Sequence, residues 1–333
     1  MIALCGTALI LDSRCAADSA RNALGLCART LVPSLLPLFV VSAMLVPGLQ
    51  RFRIPRLSRL LGFPEGGEGI WLLGLFGGFP VGAAAVVQAS QEGQLNREKA
   101  GRMLGLCSFC GPAFLFGVLP QFLTVTEVIA LFIIQAQTGL LLSSFWPEKS
   151  TASLSPAVQD VSLPVAVRRA VDSMLTVCAW VVLAAVAAGF LRRWVFPFLP
   201  QNVGLLLTGL LELTTGIFSL PSEHRFLLCS LFVCFGGVSV LLQIGGLASP
   251  AGISMVSCIF QKTLHGILGV LLCWCCQRLG WGVLLLIPAL LLGKITVEIP
   301  GKMMYNGRER KGSPCCFVKR SSAPASTAAT ARP

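Results

Sequence analysis

The chain has 333 residues, of which 55% are apolar and 12% charged, and its formal net charge is +12. A soluble domain carries roughly 25% charged residues, so this composition, with a mean hydropathy of +0.79, excludes an ordinary soluble enzyme. The basic excess does not point to nucleic acid. Lys and Arg sit in short segments between apolar blocks and in the C-terminal tail, the pattern that orients membrane proteins.

Apolar blocks occupy 1–11, 31–49, 69–90, 100–122, 125–146, 174–191, 203–220, 226–245, 252–275 and 281–298. Most have the length needed to cross a hydrocarbon core of ~30 Å. The first block has no basic residues before it and is followed by Asp12-Ser-Arg-Cys15, so it reads as a short membrane segment rather than a cleaved signal peptide. Stretches 14–30 and 164–173 mix Arg, Asp and apolar residues and are expected to lie at the interface as amphipathic helices. The end of the chain, from Gly312 to Pro333, is of low complexity and is expected to be disordered.

Most of the fourteen Cys fall inside apolar blocks, where Cys acts as a small hydrophobe. Cys273/Cys275/Cys276 and Cys315/Cys316 lack the ligand spacing of a zinc site. No Ser/His/Asp set, HExxH, P-loop or dinucleotide fingerprint occurs, so neither an enzyme nor a cofactor is expected.

An internal repeat organises the blocks. Asn96-Arg-Glu-Lys99 leads into Cys107-Ser-Phe-Cys-Gly-Pro112, as Ser222-Glu-His-Arg225 leads into Val233-Cys-Phe-Gly-Gly-Val238. Upstream, Leu72–Gly82 pairs with Leu206–Gly216. Gly77-Gly-Phe-Pro80 breaks the middle of block 69–90, since Pro removes a backbone donor and Gly weakens a helix. Glu212 and Thr214-Thr-Gly216 stand at the matching place in 203–220.

Charge counting separates two topologies. With the tail inside, ten crossing blocks place thirteen Lys/Arg on the cytoplasmic side and eleven outside; with 69–90 and 203–220 as re-entrant hairpins the split becomes seventeen to seven. The second obeys the positive-inside rule far better. It gives an all-α polytopic membrane protein with about eight transmembrane helices plus two re-entrant helical hairpins in two inverted repeats, an arrangement of secondary transporters. The divisions are a short N-terminal membrane segment (1–13), a first inverted repeat (14–146), a linker (147–163), a second inverted repeat (164–275), a C-terminal membrane helix (276–299) and a basic cytoplasmic tail (300–333).

Pro33-Ser-Leu-Leu-Pro37, Gly78-Phe-Pro-Val-Gly-Ala83, Gly111-Pro-Ala-Phe-Leu-Phe-Gly117, Glu212-Leu-Thr-Thr-Gly216 and Phe235-Gly-Gly-Val-Ser239 resemble the sporulation integral membrane protein family typified by YlbJ, within the nucleoside-recognition (Gate) membrane domains. The resemblance covers about 15–300. It implies a Gate core in both repeats and the cell membrane of an endospore-forming Gram-positive bacterium, including the mother-cell-derived forespore membrane. It also implies movement of a spore metabolite such as dipicolinate. The implied partners are the lipid bilayer, a small-molecule substrate, and further copies of the chain or other sporulation membrane proteins.

Unwound backbone survives in a bilayer only where protein or water satisfies it. The breaks therefore mark the expected substrate site: Gly78, Pro80 and Gly82 at the first hairpin; Ser108 and Gly111 at the first broken span; Glu212, Thr214 and Thr215 at the second hairpin; Gly237, Ser239 and Gln243 at the second broken span. Helix N-termini there could bind an anionic group. Glu212, an intramembrane carboxylate, is expected to couple a cation or proton. Gln88, Gln135 and Gln137 are expected to bond between helices. Lys262 is expected to bond between helices or snorkel, the alternatives being pairing with a carboxylate or attraction of an anion. His224 is expected to be solvated and His265 to be packed and hydrogen-bonded. The expected function is a permease component moving a small polar or anionic metabolite by alternating access. The alternative is a non-transporting membrane protein of the spore-envelope assembly machinery.

Overall fold

A computed structural model describes residues 2–51, 54–145, 154 and 161–285. Of the C-terminal membrane helix expected at 276–299, residues 276–279 are the end of the preceding long helix and Trp281–Leu285 form a 3-10 segment; the rest of it and the basic tail lie outside the described residues. So does most of the linker.

Helix α1 (Ile2–Leu11) has ten residues, about 15 Å of rise, half of a hydrocarbon core. Asp12 ends it and caps α2 (Ser13–Leu26), its carboxylate accepting from the Cys15 amide at 3.3 Å. Through a π-helical segment, Cys27–Leu31, α2 runs on into α3 (Val32–Arg51). The expected interfacial helix at 14–30 is thus not separate from the span that follows it. The π geometry immediately precedes Pro33, which lacks an amide and crowds the carbonyl four residues back.

Helix α4 (Pro55–Leu61) starts on Pro and ends at Gly62, which has φ +64; these are favoured start and stop residues. Helices α5 (Gly67–Gly77) and α6 (Val81–Gln91) flank the Gly78-Phe-Pro80 break. Eleven residues each give about 16 Å, half a membrane. A Cβ on Gly82 would overlap the Cys107 carbonyl and lie 2.6 Å from the Gly74 Cα. The two arms therefore touch, and the segment is a helical hairpin. Glu68 fixes its base, accepting from the Ile54 and Gly66 amides at 3.0 and 2.8 Å.

Helix α7 (Arg97–Leu106) begins on Asn96, whose Oδ1 accepts from Lys99 N at 2.8 Å. It stops at Cys107, and α8 (Pro112–Gly117) restarts on Pro. Helix α9 (Val125–Ser144) opens with a capping box between Thr124 and Glu127, which satisfies two orphan amides at once. Helix α10 (Leu163–Trp194) is one 32-residue rod. The second expected interfacial stretch, 164–173, is its first part rather than a separate element. The arms α11 (Gln201–Leu211) and α12 (Leu213–Phe218) bend at Glu212. A Cβ on Gly216 would overlap the Gly209 Cα, so these arms touch as well. Helix α13 (Arg225–Phe235) breaks at Gly236, φ +88, before α14 (Gly237–Ala248). Helix α15 (Val256–Leu279) ends at Gly280.

Among the described residues five stretches are long and apolar enough to cross a membrane: Ser13–Val41, Val125–Ser144, Leu163–Trp194, Arg225–Ala251 and Val256–Leu279. Many of their outward residues are large and apolar, among them Leu175, Leu183, Ile259, Ile267, Leu271 and Trp274. In water such surfaces would aggregate; in lipid they are the solvent-facing side. The chain is an all-helical, multi-pass membrane protein.

Four contacts fix which helix ends are neighbours. Arg193 pairs with Asp12 at 3.0 Å, and α10 runs antiparallel to α2–α3. The Leu154 amide donates to the Glu65 carbonyl at 2.7 Å. A Cβ on Gly252 would lie 3.1 Å from the Arg97 guanidinium. Arg225 reaches the Phe122 carbonyl at 3.5 Å and stands 5.7 Å from the centre of its ring.

Candidate functional site: a cavity between two hairpin tips and two broken helices

Each break must dispose of its unpaired main-chain groups, because a lost hydrogen bond in the hydrocarbon region costs several kcal/mol. At the first break the buried Gln135 side chain does this. Its Nε2 donates to the Cys110 carbonyl at 2.7 Å and its Oε1 accepts from the Cys110 amide at 3.2 Å. His265 Nε2 lies 2.9 Å from the Gln135 carbonyl and donates to it in the tautomer protonated there. The Ser108 hydroxyl turns back to the Leu104 carbonyl, and the Ser108 carbonyl takes a bond from Lys262 Nζ at 2.9 Å. Of the roles expected of Lys262, bonding between helices is the one the structure shows: it neither snorkels nor meets a carboxylate, but binds the broken backbone.

At the second hairpin Glu212 caps α12. Its two carboxylate oxygens accept from Thr214 N at 2.9 Å and Thr215 N at 2.6 Å. It is 2% exposed and does not face bulk solvent. A carboxylate accepting backbone N–H groups at a helix N-terminus is held by charge-assisted bonds and by the dipole.

The tips and breaks meet. Gly78 and Gly111 are in backbone contact: a Cβ on Gly78 would lie 2.8 Å from the Gly111 Cα. A Cβ on Gly237 would lie 3.3 Å from the Leu213 amide. Between them lies a cavity of about 60 Å³, lined by Gly78, Gly111, Glu212, Thr214, Ser239 and Gln243 and walled by Leu35 and Phe39 of α3 and Val177 and Val181 of α10. Gln243 Oε1 is buried there without a partner.

The other expected site residues are nearby but not on this cavity. Gly82 packs the hairpin arms, Pro80 starts α6, Ser108 faces Lys262, and Gly237 seats the second tip. Thr215 lines a second cavity of about 500 Å³ between α2 and α10, with Asp18, Asn22, Arg192 and Arg193. Adjacent threonines of α12 thus line the two cavities. Phe79, Cys110 and the apolar walls line the small cavity but were not expected from sequence. Phe79 stood inside the predicted break, so its position was a usable signal. The wall residues resemble any lipid-facing Leu, Phe or Val.

Among the described residues no group of three or more His, Cys, Asp or Glu could hold a metal ion, and the described cysteines are free thiols. No family model matches the chain, and no solved structure does. One curated relative does: the sporulation integral membrane protein YlbJ of Bacillus subtilis (strain 168) is 23% identical over an alignment of 316 residues, covering 77% of each protein. The chain is similar to YlbJ. This agrees with the resemblance carried by the five motifs, and an integral membrane relative agrees with a multi-pass membrane location.

The tight glycines give a direct test of the hairpin packing. Gly82→Ala is expected to lower stability by about 1–3 kcal/mol, as overpacking does. Gly246→Ala, inside α14 where a Cβ meets nothing within 4 Å, is expected to raise it by about 0.5–1 kcal/mol. Thermal unfolding in detergent compares the two, and equal effects would contradict the close approach of the arms.

Proposed function

We propose that the chain is a membrane permease component that moves a small polar or anionic metabolite by alternating access between two inverted repeats. The observation that carries this reading is the convergence of both hairpin tips and both broken helices on one buried cavity holding Glu212, Ser239 and an unpartnered Gln243 oxygen. Irregular backbone at such depth is a feature of transporter sites.

The four end contacts support the two-hairpin topology of about eight spans. Asp12 with Arg193, Glu65 with Leu154, Arg97 with Gly252 and Phe122 with Arg225 each join segments that this topology places on the same side of the membrane. If all ten blocks crossed, each of these pairs would be split between opposite faces. The antiparallel course of α2–α3 and α10, the matching first helices of the two repeats, also supports the inversion.

The cavity volume is that of about two water molecules at ~30 Å³ each, far below the ~300–1,000 Å³ of a metabolite site. The arrangement is therefore a closed one, and transport requires the hairpins to part. The larger cavity beside Thr215, with Arg192 and Arg193 at its wall, is the approach for an anionic group. The N-termini of α6 and α14 abut the inner cavity and favour negative charge. Glu212 supplies the proton or cation coupling.

The YlbJ relative is named for sporulation, and on that likeness the substrate class extends to a spore metabolite such as dipicolinate. Uptake into proteoliposomes tests the reading: labelled dipicolinate is expected to accumulate above protein-free liposomes, with nucleosides as the competing class. Accumulation of neither would favour the non-transporting, spore-envelope alternative.

A further inference from the structure

Lys262 lies within α15 and is fully buried. Its Nζ donates to the Ser108 carbonyl at 2.9 Å and stands 5.1 Å from the centre of the Phe79 ring. Ser108 belongs to the first break and Phe79 to the tip of the first hairpin. The titratable groups that bear on it are Cys110 of the break, Cys234 of α13, and Cys258 and His265 of its own helix. None of these is a carboxylate. The ammonium is thus held by a main-chain carbonyl and an aromatic face, a pair that suits a cation because a carbonyl freed from a helix needs a donor or an ion and a ring within ~6 Å attracts positive charge.

The same ring reaches further. Its tip lies 3.0 Å from where a Cβ on Gly236 would stand. Gly236 has φ +88 and no side chain, and the Phe79 ring occupies the space left at the second break. One lysine therefore ties the first break to the first hairpin, and the ring it holds seals the second break.

We propose that Lys262 is a tethered cation: it occupies the carbonyl position at the first break that a free ion would otherwise take, and it latches the first hairpin tip over the cavity. Opening then begins when the ammonium leaves Ser108 and Phe79. Lys262 is a positioning residue, since it does not line the cavity itself. The proposal rests on the permease reading only in requiring a hairpin that moves. Its test needs no substrate, so it stands or falls apart from any uptake measurement.

Cys110 lines the cavity and is 1% exposed, so its thiol reports opening. The full chain in liposomes is treated with N-ethylmaleimide, and labelling is followed residue by residue by mass spectrometry. Cys229 and Cys273, fully buried away from the cavity, are internal controls. Lys262→Met, which removes charge and donor at similar size, is expected to speed Cys110 labelling at least about tenfold. Phe79→Leu, which removes the ring and leaves the charge, is expected to shift Cys110 in the same direction by less. Both controls are expected to stay within about twofold. An unchanged Cys110 rate in the two variants would overturn the latch. So would equal acceleration of Cys110 and the controls, which would mean that the lysine only holds the fold together.

Discussion

If the chain is a permease, replacing Glu212 by Gln is expected to abolish transport, a loss of at least about a hundredfold in initial uptake rate, while the protein still accumulates in the membrane. The side chain keeps its size, and the amide oxygen can still accept from one of the Thr214 and Thr215 amides. The amide nitrogen cannot accept from the other, so one buried donor is left unpaired at about 1–3 kcal/mol. That penalty lowers stability without unfolding a domain of ordinary stability. What disappears outright is the only carboxylate among the described residues that line the inner cavity, and with it the proposed site for a coupling proton or cation. Reconstituted uptake, normalised to protein amount, checks this. Uptake at the level of the unaltered protein would confine Glu212 to its role as the cap of α12.

Gln135→Leu has the largest expected effect on stability. Both polar ends of this side chain bind the main chain of Cys110. A leucine of similar bulk leaves one buried amide and one buried carbonyl unsatisfied, at about 1–3 kcal/mol each, so the variant loses about 2–6 kcal/mol. Gln135→Glu keeps an acceptor for the Cys110 amide and, as the protonated acid, an O–H donor for the Cys110 carbonyl, so in that form it is expected to lose less than the leucine variant. Thermal unfolding in detergent ranks the three proteins. A loss below about 1 kcal/mol for Gln135→Leu would mean that water or a shifted backbone satisfies the break unaided.

The chemistry of the breaks was legible in the sequence. Gly77-Gly-Phe-Pro80, Cys107–Pro112 and Phe235-Gly-Gly237 carry the residues that interrupt helices, and the structure interrupts its helices there. Their convergence could be reasoned from the repeat, and six of the eleven expected site residues do share one cavity. The partners that satisfy the breaks could not be read. Gln135 lies far along the chain from Cys110, and Lys262 farther still from Ser108, so nothing local tells an interhelical glutamine from a clamp on an unwound strand. Glu68 was overlooked for the same reason, because the amides that donate to it, those of Ile54 and Gly66, lie on either side of the short helix α4 and carry no local signal.

The helix ends were misread for a different physical reason. The stretches 14–30 and 164–173 carry charge, and a change from mixed to apolar composition looks like a boundary between an interfacial helix and a span. A helix stops only where its backbone bonding is interrupted. No such interruption occurs in α10, and near Pro33 a single π segment absorbs the missing amide. Continuous rods are the result, longer than the bilayer is thick. Arg193 and Asp12 then pair beyond the apolar stretch rather than within it.

The sidedness of the two loops that follow the hairpins tests the account most directly. Gln94→Cys, after the first hairpin, and Glu223→Cys, after the second, are labelled with a membrane-impermeant maleimide in right-side-out and inside-out vesicles and read by mass spectrometry. The two-hairpin topology predicts that position 223 reacts in the right-side-out vesicles and position 94 only in the inside-out ones. Reaction of both positions from one and the same side would contradict it.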